Sequence, residues 1–186
     1  MADVKARSYR VGLFILVFVL LLAGVLLGAR PFLPAFLSPQ AAPPAAERET
    51  LRLPVLPERF AGLQLVSSYS GPEAVRDILQ LHRNEFPLLD GLIAQYAGGA
   101  EVTVWVSLSP TVEEAAGLMQ QMVETMPAST VFTEESVFTL EGRQIYHVTG
   151  MGMDHYYYHE GLYVYWLAIG ETAAPKDVLA AFLRSL

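Results

Sequence analysis

The thirteen residues TGMGMDHYYYHEG, positions 149–161, hold two methionines, two histidines, an aspartate and three tyrosines. Soft thioethers beside an imidazole suit Cu(I). Met151, Met153 and His155 recur at every second position, so on one extended strand they would project from the same side. Spacing also sets the limit of this metal reading. Alternate strand residues lie roughly 6.6 Å apart and can converge through long side chains, but His155 and His159 would lie roughly 13 Å apart and could not share one ion unaided.

Acid–base chemistry is less well served. Asp154 and His155 are adjacent, and adjacent residues of a strand point to opposite faces. The chain contains no GxSxG elbow, HExxH helix, phosphate-cradling glycine loop or dinucleotide fingerprint. His82, near the end of a helical pattern and three residues before Glu85, reads as a helix-end cation rather than a ligand. The chain has no cysteine, which excludes disulfides, thiolate metal sites and thiol nucleophiles.

A sheet accounts for the same residues without chemistry. With Glu160 and Gly161 as a turn, Tyr156 faces Tyr165, Tyr158 faces Tyr163 and His155 faces Trp166. One face of the hairpin then carries Tyr156, Tyr158, Tyr163, Tyr165 and Leu167. Aromatic cross-strand pairs stabilise a sheet by roughly 0.2–1 kcal/mol each, and a tyrosine-rich face left exposed suits an interface core. Gly150 and Gly152 point to a bulge or a close backbone approach.

The surrounding pattern supplies the elements that would position this strand. LQLVSSYS alternates as a strand. SGPEAVRDILQLHR opens with Ser70 and Glu73 at capping-box spacing and Pro72 in the first turn, which predicts a helix over 72–83. Two strands flank Gly98 and Gly99, with Val102, Val104 and Val106 alternating against Thr103, Trp105 and Ser107. A second capping box, Thr111 with Glu114, starts a helix whose Val112, Ala115, Met119, Met122 and Met126 recur at helical spacing until Pro127. The methionines read as adaptable core filler. TVFTEESVFTL, RQIYHVTGMGMDHYYYH and LYVYWLAIG read as three strands, and APKDVLAAFLRSL as a closing helix. The expected fold is α+β: an antiparallel sheet with two to three helices packed on one face, with a possible ferredoxin-like relation between its halves.

Upstream lies a different kind of sequence. Residues 11–29 run without a charge or strongly polar group, and as a helix they span about 28 Å, close to the hydrocarbon thickness of a bilayer. Lys5, Arg7 and Arg10 precede the run, so the positive-inside rule places the N-terminus in the cytoplasm and the rest outside. Leu27 spoils a small-x-small cleavage site before Ala29, which favours a retained anchor over a signal peptide. Gly24 and Gly28 form a GxxxG that would permit close helix pairing. Seven of the twelve prolines fall between residues 31 and 57, the composition of a semi-rigid tether.

The expected organisation is a cytoplasmic 1–10, an anchor at 11–29, a juxtamembrane tether at 30–57 and an exported domain at 58–186. From residue 31 onward, eight Lys or Arg stand against eighteen Asp or Glu, a balance that excludes nucleic acid as a partner. The reading that follows is a non-catalytic, single-pass envelope protein without cofactor, whose domain binds a protein partner as an accessory or assembly subunit of a membrane complex. The alternatives are a copper-binding protein using Met151, Met153 and His155, and an envelope hydrolase with dispersed residues.

Overall fold

The run YVYWLAI shows no polar alternation, and a strand apolar on both sides has to be covered on both. In the computed structural model, which describes residues 51–82 and 86–186, this run is the innermost strand of its half of the sheet. The elements are β1 (Arg59–Phe60), β2 (Leu63–Ser70), α1 (Pro72–Gln80), β3 (Asp90–Ala97), β4 (Glu101–Leu108), α2 (Val112–Thr125), β5 (Phe132–Leu140), β6 (Arg143–Gly150), β7 (Met153–Glu160), β8 (Tyr163–Ile169) and α3 (Pro175–Ser185). The chain is an α+β fold with one eight-stranded sheet in the order β1-β2-β3-β4-β8-β7-β6-β5, antiparallel at every step. Leu53–Leu186 forms one compact unit.

Helices cover both faces, not one as the sequence suggested. On the face carrying Val102, Val104 and Val106, the strand residues Tyr156, Tyr158, Tyr165 and Leu167 pack with Leu179, Phe182 and Leu183 of α3 and with Phe60. The opposite face carries Trp105 and Ile93, which pack with Ala74 and Ile78 of α1. There α2 lies over β7 and β8, with its Leu118, Met119 and Met122 buried together with Val148, Tyr157, Val164 and Ala168. Each buried Leu, Phe or Val contributes about 1.5–3 kcal/mol, so neither helix layer is dispensable.

A ferredoxin-like relation is also absent. Its β-α-β units bring strands back parallel across a crossover, whereas β2 and β3, joined through α1, are antiparallel neighbours. The segment read as one long strand at 143–159 is two: it folds back at Met151 and Gly152, both at positive φ (52° and 74°), and β6 pairs with β7. That geometry matches a two-residue type I′ hairpin loop. Gly152 supplies the permissive backbone, while Met151 tolerates a conformation its side chain resists.

Helix ends divide the two capping-box expectations. At α2, Thr111 Oγ1 accepts from the Glu114 backbone N–H at 3.1 Å, and its hydroxyl donates to Glu114 Oε2 at 3.3 Å. At α1 the Ser70–Glu73 box does not form; the N-cap is Gly71, at φ 81°. Its N–H donates to Asp90 Oδ1 of β3 at 2.9 Å, so a strand carboxylate accepts the N-cap N–H, the part a capping box gives to its glutamate. The expected anchor, with Gly24 and Gly28, and the tether up to residue 50 lie outside the described residues. Among the described residues no helix is long and apolar enough to cross a membrane.

Candidate functional site

The β6–β7 hairpin places two histidines on neighbouring strands but on opposite faces. Its register pairs His147 with Tyr156 and Val148 with His155, so His147 shares the α3-covered face with Tyr156 and Asp154. His147 Nε2 lies 2.7 Å from Asp154 Oδ1. An ionised carboxylate can only accept, so His147 Nε2 carries the proton of this contact. The imidazole stacks on the Tyr156 ring, with centroids 4.6 Å apart and planes 16° apart.

These three side chains form one wall of an open cleft of about 280 Å³. The other wall is Ala173, Ala174, Pro175, Lys176 and Asp177, the entry and first turn of α3. Pro175 at the first helical position suits the start of α3, where its missing N–H is no loss. The Lys176 ammonium lies 4.6 Å from the centroid of the Phe138 ring on β5. Tyr156 is fully buried, and its hydroxyl has no hydrogen-bond partner among the described residues. Burial, with the Asp154 charge adding to it, holds that phenol well above the usual tyrosine range, so it stays protonated. The cleft thus joins a carboxylate, an imidazole and an unsatisfied hydroxyl from three separate positions.

His155, on the other face, is closed. Trp166 Nε1–H donates to its Nδ1 at 3.1 Å, and an indole can only donate. The proton therefore sits on Nε2, which donates to the Gly150 carbonyl at 3.1 Å. Phe132 packs edge-on against the ring at 4.9 Å. Burial is the main cause that pushes the imidazole down to about 4, since a charged ring there would also turn a second donor toward the indole N–H.

This arrangement corrects the copper reading, because His155 has no free lone pair for a metal. Met151 sits in the turn instead of on the strand with Met153. Among the described residues no group of three or more His, Asp or Glu side chains could hold an ion. The interface reading is corrected as well: Tyr156, Tyr158 and Tyr165 are buried beneath α3 and Tyr163 is half-buried. The hairpin turn falls at Gly161 and Leu162, which pairs Tyr158 with Tyr165, Tyr157 with Trp166 and Tyr156 with Leu167. This is a shift of two from the expected register, so the tyrosines keep their common face. Gly161, at φ 57°, occupies the first loop position, where a positive φ favours glycine over Glu160.

His82 is not a helix-end cation. Its Nδ1 lies 2.9 Å from the Ile78 carbonyl of α1, and burial lowers its affinity for a proton, so it ends the helix as a neutral hydrogen-bond donor. His159 is exposed at the end of β7. The pair the sequence reading missed is His147 with Asp154. Its signal was the residue-Gly step at Met151-Gly152: a turn there brings 147 and 154 diagonally together on one face. No family model, curated protein or solved structure matches the chain.

Proposed function

We propose that the chain is a single-pass membrane protein whose α+β domain stands outside the cytoplasm as a binding module, an accessory or assembly subunit of a membrane complex. The observation that supports it is the segregation of the chain. The uncharged run at 11–29, its basic flank and most of the proline-rich stretch fall within Met1–Arg52, and Leu53–Leu186 forms a unit with its own core. A hydrophobic run of that length beside lysine and arginine is the pattern of a span with its N-terminus inside. The domain's excess of acidic residues keeps it soluble and clear of anionic surfaces.

The absence of cysteine makes topology directly testable. Single cysteines replacing Val55, 92% exposed, and Ser8 are treated with a membrane-impermeant maleimide on intact cells. Val55→Cys labels at once, and Ser8→Cys labels only after permeabilisation. Solubilised in mild detergent, the full chain migrates with a stoichiometric membrane partner on a native gel. Equal labelling of both positions, or release of the chain by alkaline carbonate, removes the membrane reading; a lone monomer removes the accessory-subunit reading.

A further inference from the structure

We propose that the outer edge of β5 is the surface on which a second copy of this chain docks, strand against strand, so that two sheets join through residues 136–140 about a two-fold axis. The eight-stranded sheet has two ends, and they are finished differently. At one end β1 covers the start of β2, Leu65 N–H reaches the Glu58 carbonyl at 2.9 Å, and the uncovered remainder of β2 is largely serine. At the other end β5 runs for nine residues with no strand beyond it among the described residues. A register shift between Glu134 and Ser136 interrupts its first half, while its second half pairs regularly with β6. That second half, SVFTL, holds no charge and no proline, the residues that usually keep an edge strand from pairing.

The hairpin fixes which groups of the edge face outward. Glu141 and Gly142, at φ 49° and 77°, form a two-residue loop, so Leu140 and Arg143 close it as a hydrogen-bonded pair. By alternation Leu140, Phe138 and Ser136 turn their backbone groups to β6, and Val137 and Thr139 turn theirs away from it. A two-fold axis through Phe138 sets Val137 of each copy against Thr139 of the other and satisfies these outward groups with four backbone hydrogen bonds. The Phe138 rings then meet as the close, non-hydrogen-bonded pair on the α3-covered face. On the other face Val137, 44% exposed, gains a cross-strand neighbour.

Charge selects a copy over a different partner. Beside this stretch Arg184 is bound to Glu141 at 2.7 Å and Arg143 to Glu160 at 2.9 Å, and Lys176 rests on the Phe138 ring. A basic segment would find these carboxylates taken and an acidic one these cations taken, whereas an uncharged strand of the same composition meets its match. The chain as a whole is acidic, so two copies repel one another except along such a neutral strip. Pairing uses both β5 edges and leaves short, polar ones, so assembly closes at two chains. One strand pair buries less than the roughly 1,200 Å² of a stable interface, so the association is weak and reversible, and salt strengthens it by screening the acidic domains. The inference stands apart from the membrane reading.

The chain has no cysteine, so single cysteines in the full chain in mild detergent report the pairing. Phe138→Cys meets its counterpart with Cα atoms about 4.5 Å apart, within disulfide reach, and forms a disulfide dimer on mild oxidation. Ser136→Cys, roughly 13 Å from its counterpart in that register, crosslinks at least tenfold less. Adding Val137→Pro, which removes an outward N–H and leaves the β6 ladder intact, lowers the Phe138→Cys crosslink about tenfold, as does the exposed edge charge of Val137→Lys. In analytical ultracentrifugation the unsubstituted chain shows a dimer fraction that rises with protein concentration and with salt. If Val137→Pro disturbs the fold, Val137→Lys decides. No disulfide from Phe138→Cys, equal crosslinking of Ser136→Cys, or a Phe138→Cys disulfide that survives Val137→Lys overturns the proposal. So does a photoreactive group at position 137 that captures a different protein in the native membrane instead of a second copy.

Discussion

His147 and His155 occupy neighbouring strands of one hairpin, yet one belongs to an open cleft and the other to a sealed core. His155 spends both ring nitrogens on groups of its own domain, the Trp166 indole and the Gly150 carbonyl. His147 spends one, on a half-exposed carboxylate. The difference comes from what covers each face. Phe132 and Trp166 close over His155, while above His147 the chain is only entering α3 and leaves a gap. Residue type therefore does not mark a site here; the number of hydrogen-bonding positions left over does.

The largest expected effect breaks the comparison from the sealed side. The His155 imidazole is held near 4 in the folded domain against 6.5 for an ordinary histidine, so between those values the unfolded chain binds more protons than the folded one. Stability from this group is complete above pH 6.5, falls as pH drops toward 4, and loses on the order of 3 kcal/mol in all. His82, also lowered by burial, adds a loss of the same sign. Urea unfolding of the full chain from pH 7 to pH 4 should show this decline, and His155→Gln should remove most of the slope. An unchanged slope in that variant means the sealed environment is not as described.

Next comes the packing that seals it. A Cβ at Gly150 would collide with the Phe132 ring and sit 2.7 Å from the Val131 carbonyl. Gly150→Ala should cost about 1–3 kcal/mol, the penalty of overpacking, and should raise the proton affinity of His155 as Phe132 is displaced. Thermal unfolding and the His155 titration check both halves.

On the α3-covered face, Tyr158 stacks on Tyr165 with planes 6° apart, and its buried hydroxyl has no partner among the described residues. Tyr158→Phe keeps the stack and removes the unsatisfied group, so it should stabilise by about 1 kcal/mol. A loss of stability would mean that the hydroxyl has a bound partner. The smallest effect belongs to the open side. His147→Gln should cost no more than about 1 kcal/mol, because a half-exposed Asp154 regains water in place of the imidazole. A loss as large as that of Gly150→Ala would erase the distinction between the two faces.

Much of the fold was legible locally. The Thr111 cap of α2, the valine alternation of β4 and the methionine spacing of α2 are each written in neighbouring residues, and each forms as expected. What local pattern could not show is which face a helix covers. An amphipathic stretch such as 175–185 announces only that it buries something, and α3 chose the tyrosine face, which turned an apparent interface into core. The candidate site stayed hidden for a sharper reason. The turn that creates the His147–Asp154 pair places Met151 at positive φ, a position for which methionine gives no signal, so the hairpin read as a single strand. The copper reading then followed from an alternation that the turn interrupts. Composition foretold the lack of thiolate chemistry but not that Trp166 would take the His155 lone pair, a contact across eleven residues.

The most direct test of the contrast is a long-range nitrogen–proton NMR spectrum of the histidine rings, recorded on the full chain in mild detergent between pH 7 and pH 5. With both ring nitrogens taken by Trp166 and Gly150, His155 should stay neutral with its proton on Nε2 down to about pH 5, as its lowered proton affinity requires. A His155 ring that carries its proton on Nδ1, or that is doubly protonated at pH 5 or above, would contradict the sealed environment.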